Sequence, residues 1–207
     1  YSSDSVSCSK TVRVIAPALL NCEHRIESVD LINPAHFGYT VNSAGDFNAD
    51  GYDDLMIGAP GYGNGWTAIY FGSASLPTYP DIIINGEIPN FGFSCSGAGD
   101  VNSDGFDDVI VGSCGNDGVA GKAYLYFGNQ HGMVNGITLN GQSAGDKFGY
   151  SVCKAGDVNL DGFDDVIVGS RAGKSYIFFG GLQMDNIADI VLNDPSPGSD
   201  FGKSVSY

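Results

Sequence analysis

Gly45-Asp46-Phe47-Asn48-Ala49-Asp50-Gly51-Tyr52-Asp53-Asp54 is written twice more, as Gly99-Asp100-Val101-Asn102-Ser103-Asp104-Gly105-Phe106-Asp107-Asp108 and as Gly156-Asp157-Val158-Asn159-Leu160-Asp161-Gly162-Phe163-Asp164-Asp165. Each copy reads Asp-x-Asn-x-Asp-Gly-x-x-Asp, with oxygen-bearing side chains at positions 1, 3, 5 and 9. The glycine at position 6 lacks a Cβ and can adopt positive φ, so the backbone can turn back on itself. Three carboxylates, an amide oxygen and the position-7 carbonyl can then converge on one point. Hard oxygen donors in that number suit calcium, whereas magnesium demands a tighter octahedron and keeps several waters. The expected ligand sets are Asp46, Asn48, Asp50 and Asp54 with the Tyr52 carbonyl; Asp100, Asn102, Asp104 and Asp108 with the Phe106 carbonyl; and Asp157, Asn159, Asp161 and Asp165 with the Phe163 carbonyl. Asp, Asn and Gly also make ordinary turns, but a turn does not need four donors at fixed spacing three times over. Asp53, Asp107 and Asp164, at position 8, are read as pointing away from the ion, either supporting the ligands from behind or solvated.

The loops belong to a longer repeat. Phe-Gly recurs at 37–38, 91–92, 148–149 and 201–202, at spacings of 54, 57 and 53 residues. A short strand-like run follows each of the first three, then the loop, then a fully apolar strand: Leu55-Met56-Ile57, Val109-Ile110-Val111, Val166-Ile167-Val168. An EF-hand would need a Glu at position 12 and a helix beyond it. Position 12 here is Ile57, Val111 or Val168, so the loop is a strand-to-strand turn. A third strand is expected at Thr67 to Gly72, Ala123 to Gly128 and Ser175 to Gly180, and a fourth at Asp81 to Asn85, Gly136 to Asn140 and Asp189 to Asn193. Four short strands per unit with Gly-rich turns describe one blade of a β-propeller. No capped run with 3.6-residue periodicity occurs, so the fold class is all-β.

Phe-Gly-x-Ser/Thr-Val, the Asp loop and Gly58-Ala59-Pro60 resemble the FG-GAP repeats of integrin α-subunit head propellers. The resemblance covers residues 28–207. Gly-Ala-Pro stands only in the first copy; the others read Gly112-Ser113-Cys114 and Gly169-Ser170-Arg171. The expected units are 37–90, 91–147 and 148–200, each a four-stranded antiparallel sheet with a calcium-binding hairpin loop. Segment 1–36 has one clear strand at Thr11 to Ile15 and ends in Val29-Asp30-Leu31-Ile32-Asn33, which aligns with the fourth strands. Segment 201–207 reads as the first strand of a further blade. The resemblance implies seven blades, so three plus two partial ones leave three arrangements open: part of a longer propeller, end strands that complete blades between copies in an oligomer or filament, or a small closed ring.

Composition bounds the function. The 31 glycines among 207 residues carry no collagen-like period and fit many tight turns. A formal charge of −15 would repel nucleic acid rather than gather it. No stretch approaches the ~20 apolar residues of a membrane span. The chain begins with Tyr1, as a processed product would, and no Asn-x-Ser/Thr acceptor occurs.

The loop reads as structural rather than catalytic, because a cation held in a tight protein turn has few open positions for substrate. His24, His36, His131, Glu23, Glu27 and Glu87 are the only histidines and glutamates, and none recurs in the repeats. No enzyme is therefore expected. Binding belongs in loops that vary on a fixed scaffold. Trp66, beside Tyr62 in a Gly-rich loop, is either an exposed anchor for carbohydrate or protein or a cover for an inter-blade seam. Among five cysteines, Cys8 and Cys22 are expected to pair in the segment without repeats, while Cys95, Cys153 and Cys114 compete for a second bridge. The expected protein works outside the cytosol, where calcium is abundant and disulfides persist, and by resemblance binds protein or glycan in adhesion. The alternatives are a structural subunit of an extracellular filament or oligomer whose end strands complete blades between copies and, after it, part of a secreted enzyme whose catalytic set is scattered over different blades.

Overall fold

The computed structural model describes residues 36–207, apart from 76, 117, 133–134 and 197–199, together with two short strands at 12–14 and 24–26. Those two, β1 (Val12–Val14) and β2 (His24–Ile26), pair antiparallel. β1 matches the expected strand; β2, with a histidine and an arginine in three residues, carried no apolar pattern to reveal it. Val29–Asn33, Cys8 and Cys22 lie outside the described residues.

Three four-stranded antiparallel sheets follow, each in chain order. The first holds β3 (Thr40–Gly45), β4 (Asp54–Ala59), β5 (Trp66–Tyr70) and β6 (Ile82–Asn85). The second holds β7 (Phe91–Gly99), β8 (Asp108–Ser113), β9 (Lys122–Phe127) and β10 (Asn135–Asn140). The third holds β11 (Ser151–Gly156), β12 (Asp165–Ser170), β13 (Lys174–Phe178) and β14 (Ile190–Asn193). No helix occurs among the described residues. These are the blades of an all-β propeller, and the strand order is the one expected from the repeat.

The second strands of blades 1 and 2 are apolar without alternation because both of their faces are covered. Blade 1 turns Phe47, Met56, Ile69 and Ile84 toward blade 2, where they pack with Phe91, Cys95, Val109, Val111 and Tyr124. Blade 2 turns Val101, Ile110, Leu125 and Leu139 toward Phe148, Val152, Val166, Val168, Tyr176 and Phe178 of blade 3. Full burial of one such side chain contributes about 1.5–3 kcal/mol, so these two seams form most of the core. The corresponding face of blade 3 is open: Val158 is 48% exposed and Leu192 39%, where Val101 and Leu139 are both at 0%.

Blades 2 and 3 each seat their opening Phe-Gly on the blade before. The Gly92 carbonyl accepts the Thr40 hydroxyl at 3.3 Å and the Gly149 carbonyl accepts that of Ser94 at 3.0 Å. A Cβ on Gly58 or Gly112 would collide with those same carbonyls, which is why the second strands carry glycine there. The Gly202 carbonyl repeats the contact, accepting from Ser151 Oγ at 3.0 Å. Residues 201–203 form a turn, but 204–207 are not a strand as expected, since no described second strand is there to pair with them.

The cysteines depart from expectation. Cys95, Cys114 and Cys153 are free. Cys95 Sγ lies 3.0 Å from Thr40 Oγ1 of blade 1, and Cys153 Sγ accepts from Ser96 Oγ of blade 2 at 3.8 Å. The two thiols reach different neighbours, so no bridge joins them.

Candidate metal centres

Each Asp loop leaves its first strand through a bulge. Pairing slips between Ser43 and Gly45, between Gly97 and Gly99, and between Lys154 and Gly156. The glycines at these exits have φ of 71°, 74° and 70°. Two further left-handed residues complete the turn. Position 4 is left-handed although it is Ala49, Ser103 or Leu160, at φ 55°, 59° and 61°, and position 6 is Gly51, Gly105 or Gly162, at 91°, 89° and 94°.

The side chains of positions 1, 3 and 5 turn inward on the loop's own amides. Asp46 Oδ1 and Asn48 Oδ1 both accept the Asp50 N–H, at 2.9 and 3.0 Å. Asp46 Oδ2 accepts the Gly51 N–H at 2.9 Å, and Asp50 Oδ1 accepts that of Tyr52 at 3.0 Å. The Asn48 amide donates to Asp50 Oδ2 at 3.0 Å, which turns the Asn48 carbonyl oxygen toward the centre. Loops 2 and 3 repeat all five bonds. Among the described residues no backbone hydrogen bond ends on the carbonyls of Tyr52, Phe106 or Phe163. The oxygens of positions 1, 3 and 5 are thus gathered on three consecutive amides, those of Asp50, Gly51 and Tyr52 in loop 1. Among the described residues no three His, Cys, Asp or Glu side chains converge as a bound ion would require; the donor types are those a hard divalent cation takes.

Position 9 behaves differently from the rest. Asp54, Asp108 and Asp165 are buried, and each carboxylate spans two backbone N–H groups. Asp54 accepts from Phe47 at 2.9 Å and from Gly72 at 2.7 Å. Asp108 does so from Val101 and Gly128, both at 2.9 Å, and Asp165 from Val158 at 2.8 Å and Gly180 at 2.9 Å. Burial pushes the Asp54 carboxyl up to about 6 and that of Asp108 to about 7, against the pull of these amides and with help from Asp50 and Asp46 or Asp104 and Asp100. Asp165 is raised for the same reasons. A carboxylate oxygen has two lone pairs, so these groups can tie the hairpin and still face the loop centre.

At position 8, Asp107 and Asp164 turn away from their own loops and onto the loop of the blade before. Asp107 Oδ2 accepts the Asp46 N–H at 2.8 Å, and the Asp107 N–H donates back to the Asp46 carbonyl at 3.2 Å. Asp164 does the same to Asp100, at 3.1 and 3.3 Å, and also pairs with Lys154 Nζ at 2.8 Å. Position 2 was unread: Phe47 and Val101 carry the loop into the seam. The recurrence of Asp-Asp at positions 8 and 9, and of an apolar residue at position 2, was the available signal.

The FG-GAP repeat pattern matches residues 37–72, 91–126 and 148–178. This chain is an FG-GAP repeat protein of the integrin-α-like kind. It is 33% identical over 174 residues to chicken integrin alpha-6, a match covering 77% of this chain and 15% of the relative. Mouse integrin alpha-3 is 33% identical over 151 residues, covering 66% of this chain and 14% of the relative. Human integrin alpha-7 is 34% identical over 155 residues, with coverages of 69% and 13%. The FG-GAP chain thus spans about one seventh of the length of these relatives.

A second cluster lies at the residues after the first three Phe-Gly pairs. The rings of Tyr39 and Phe93 are 4.9 Å apart, those of Phe93 and Tyr150 are 4.8 Å apart, and the Arg171 guanidinium lies over Tyr150 at 5.4 Å. Tyr39 is 48% exposed, so this ladder of one ring per blade reaches the surface. Sequence reasoning passed over it, although the aromatic residue recurs in the motif. Trp66, by contrast, is buried and stacks on Phe37 at 5.5 Å. It covers a blade face, and the exposed Trp66–Tyr62 anchor is not formed. No helix among the described residues is long and apolar enough to cross a membrane.

Proposed function

We propose that this FG-GAP chain is a calcium-stabilised extracellular binding module of the adhesion type, not an enzyme, with a protein or glycan as ligand. The observation that carries the binding reading is the Tyr39–Phe93–Tyr150 ladder, whose spacings of 4.9 and 4.8 Å present adjoining rings from three blades. Rigid aromatic surface of this kind anchors binding hot spots at small entropic cost. Calcium would be held in three sites by Asp46, Asn48, Asp50, Asp54 and the Tyr52 carbonyl, and by the matching residues of loops 2 and 3. When bound, the ion supplies a positive centre for three clustered carboxylates and so holds each hairpin shut. Exposed loops of this donor set would fill where calcium is millimolar, which supports a role outside the cell. Cells plated on the immobilised chain in calcium are expected to attach, and Tyr39→Ala with Phe93→Ala to weaken attachment roughly tenfold or more. Attachment equal to the parent would overturn the ladder as the site.

The exposed Val158 and Leu192 of blade 3 favour a second reading, in which that face is covered by further blades of a larger propeller or by another copy of the chain. Light scattering in calcium tests the self-association: a monomer at high concentration would exclude it.

A further inference from the structure

We infer that Asp107 and Asp164 are positioning residues for the cation loop of the preceding blade, so that each loop is completed across a seam rather than within its own hairpin. The inference rests on the cation reading of the loops and names what sets their geometry.

Asp107 is written in loop 2 but holds loop 1. Its carboxylate takes the Asp46 N–H at 2.8 Å, and its own N–H returns to the Asp46 carbonyl at 3.2 Å, across 61 residues of sequence. Asp46 is position 1 of its loop, and its carboxylate oxygens organise the Asp50 and Gly51 amides. Both backbone groups of the residue that starts the loop are thus fixed by a residue of the next blade. Asp164 makes the same two bonds to Asp100. The match across both seams, with different residues around it, marks this as a repeated device.

Space is reserved for the clasp. Gly45 and Gly99 stand directly before Asp46 and Asp100, and a Cβ on either would collide with Asp107 Oδ2 or Asp164 Oδ2. The approach is reinforced by the position-2 side chains, Phe47 and Val101, buried in the same seams. Gly128 of blade 2 and Gly180 of blade 3 close against the Phe47 and Val101 carbonyls, where a Cβ would be 2.6 and 2.7 Å away. Loop occupancy and seam closure are therefore one event: an ion that orders Asp46 also orders the partner of Asp107, and a severed clasp lets Asp46 swing out of the ligand set.

Loop 1 alone has a tyrosine at position 7, Tyr52, where loops 2 and 3 have Phe106 and Phe163. The Tyr52-dependent part of the tyrosine-sensitised luminescence of Tb³⁺, a calcium surrogate, therefore reads loop 1: Tyr52→Phe is expected to remove it and to leave only the background from other tyrosines, such as Tyr207 beside Gly156 of loop 3. Asp107→Ala is expected to weaken the Tb³⁺ titration of loop 1 at least tenfold, although the residue lies in loop 2. Asp107→Asn, which keeps an acceptor for the Asp46 N–H, is expected to stay within about threefold of the parent, and Asp53→Asn to leave loop 1 unchanged. An unchanged titration in Asp107→Ala, or equal losses in Asp107→Ala and Asp107→Asn, would overturn the inference while the cation reading stands. Absence of any Tyr52-dependent signal in the parent would overturn the cation reading, and the inference with it. Should Asp107→Ala not fold, Asp164→Ala in a Tyr52→Phe, Phe106→Tyr background puts the same question to loop 2.

Discussion

Asp108 Oδ1 accepts the Gly128 N–H at 2.9 Å, joining the exit of an Asp loop to the end of the third strand in the same blade. Its other oxygen is on Val101 N–H, also at 2.9 Å, so one carboxylate faces two donors. Asparagine at this position keeps the shape but turns an NH₂ toward one of them. Asp108→Asn is therefore expected to destabilise the fold by about 1–3 kcal/mol, the cost of one unsatisfied buried donor. Urea denaturation in calcium-free buffer measures it, and a midpoint equal to the parent would refute the account.

Calcium should raise the melting temperature. An ion that binds only the folded state contributes about 2.7 kcal/mol at one hundred times its dissociation constant. In a chain of this size 1 kcal/mol is worth roughly 2–4 °C, so each filled loop is expected to add on the order of 5–10 °C. Scanning fluorimetry in calcium and in chelator decides this, with equal melting as the adverse result.

The metal-free protein should lose stability as the solution becomes less acid. The folded carboxyls of Asp54 and Asp108, at about 6 and about 7, lie above the ordinary value of 3.8. A group raised on folding contributes stability that is complete below its unfolded value and lost as pH climbs through the folded one. Melting of the stripped protein is thus expected to fall between pH 5 and pH 7.5, and the calcium-induced rise to be larger at pH 7.5. Asp108→Asn should flatten the slope. Higher stability of the stripped protein at pH 7.5 than at pH 5 would contradict the assignment.

Two glycines that look alike in sequence should respond to alanine for different reasons. Gly58 has no left-handed requirement, but a Cβ there would run into the Gly92 carbonyl and Thr40 Oγ1. Gly105 has open space around it and a φ of 89°. Gly105→Ala is expected to cost about 1–2 kcal/mol, the left-handed penalty of an L-residue. Gly58→Ala must move backbone and is expected to cost as much as overpacking a core, about 1–3 kcal/mol, or more. Limited proteolysis separates the two. Cleavage between blades 1 and 2 should rise only in Gly58→Ala, and a rise in Gly105→Ala would count against the seam explanation.

The strands and loops were legible because their signals are local. Short apolar runs, Gly-rich turns and the Asp motif each need only a few neighbours, and the spacing of the four Phe-Gly pairs supplied the order. β2 escaped because His24, Arg25 and Ile26 carry no apolar period, and 204–207 are not a strand because no described second strand pairs with them. Trp66 was ambiguous for a physical reason: a large ring in a Gly-rich stretch serves equally as an exposed anchor or a lid, and only its stacking on Phe37 decides.

The sequence by itself determined the all-β class, the oxygen-bearing side chains at positions 1, 3, 5 and 9 and the strand-to-strand nature of the loop, since composition and spacing within ten residues dictate these, and it laid out the three repeats through the Phe-Gly spacings of 54, 57 and 53 residues. Tertiary structure alone decided that Asp107 and Asp164 hold the loop of the blade before them, that Cys95 and Cys153 face hydroxyls of different neighbours, and that Tyr39, Phe93 and Tyr150 form one ladder. Those relationships join residues more than fifty positions apart in the chain. No local preference encodes such a contact; it exists only once the apolar seams have brought one blade against the next.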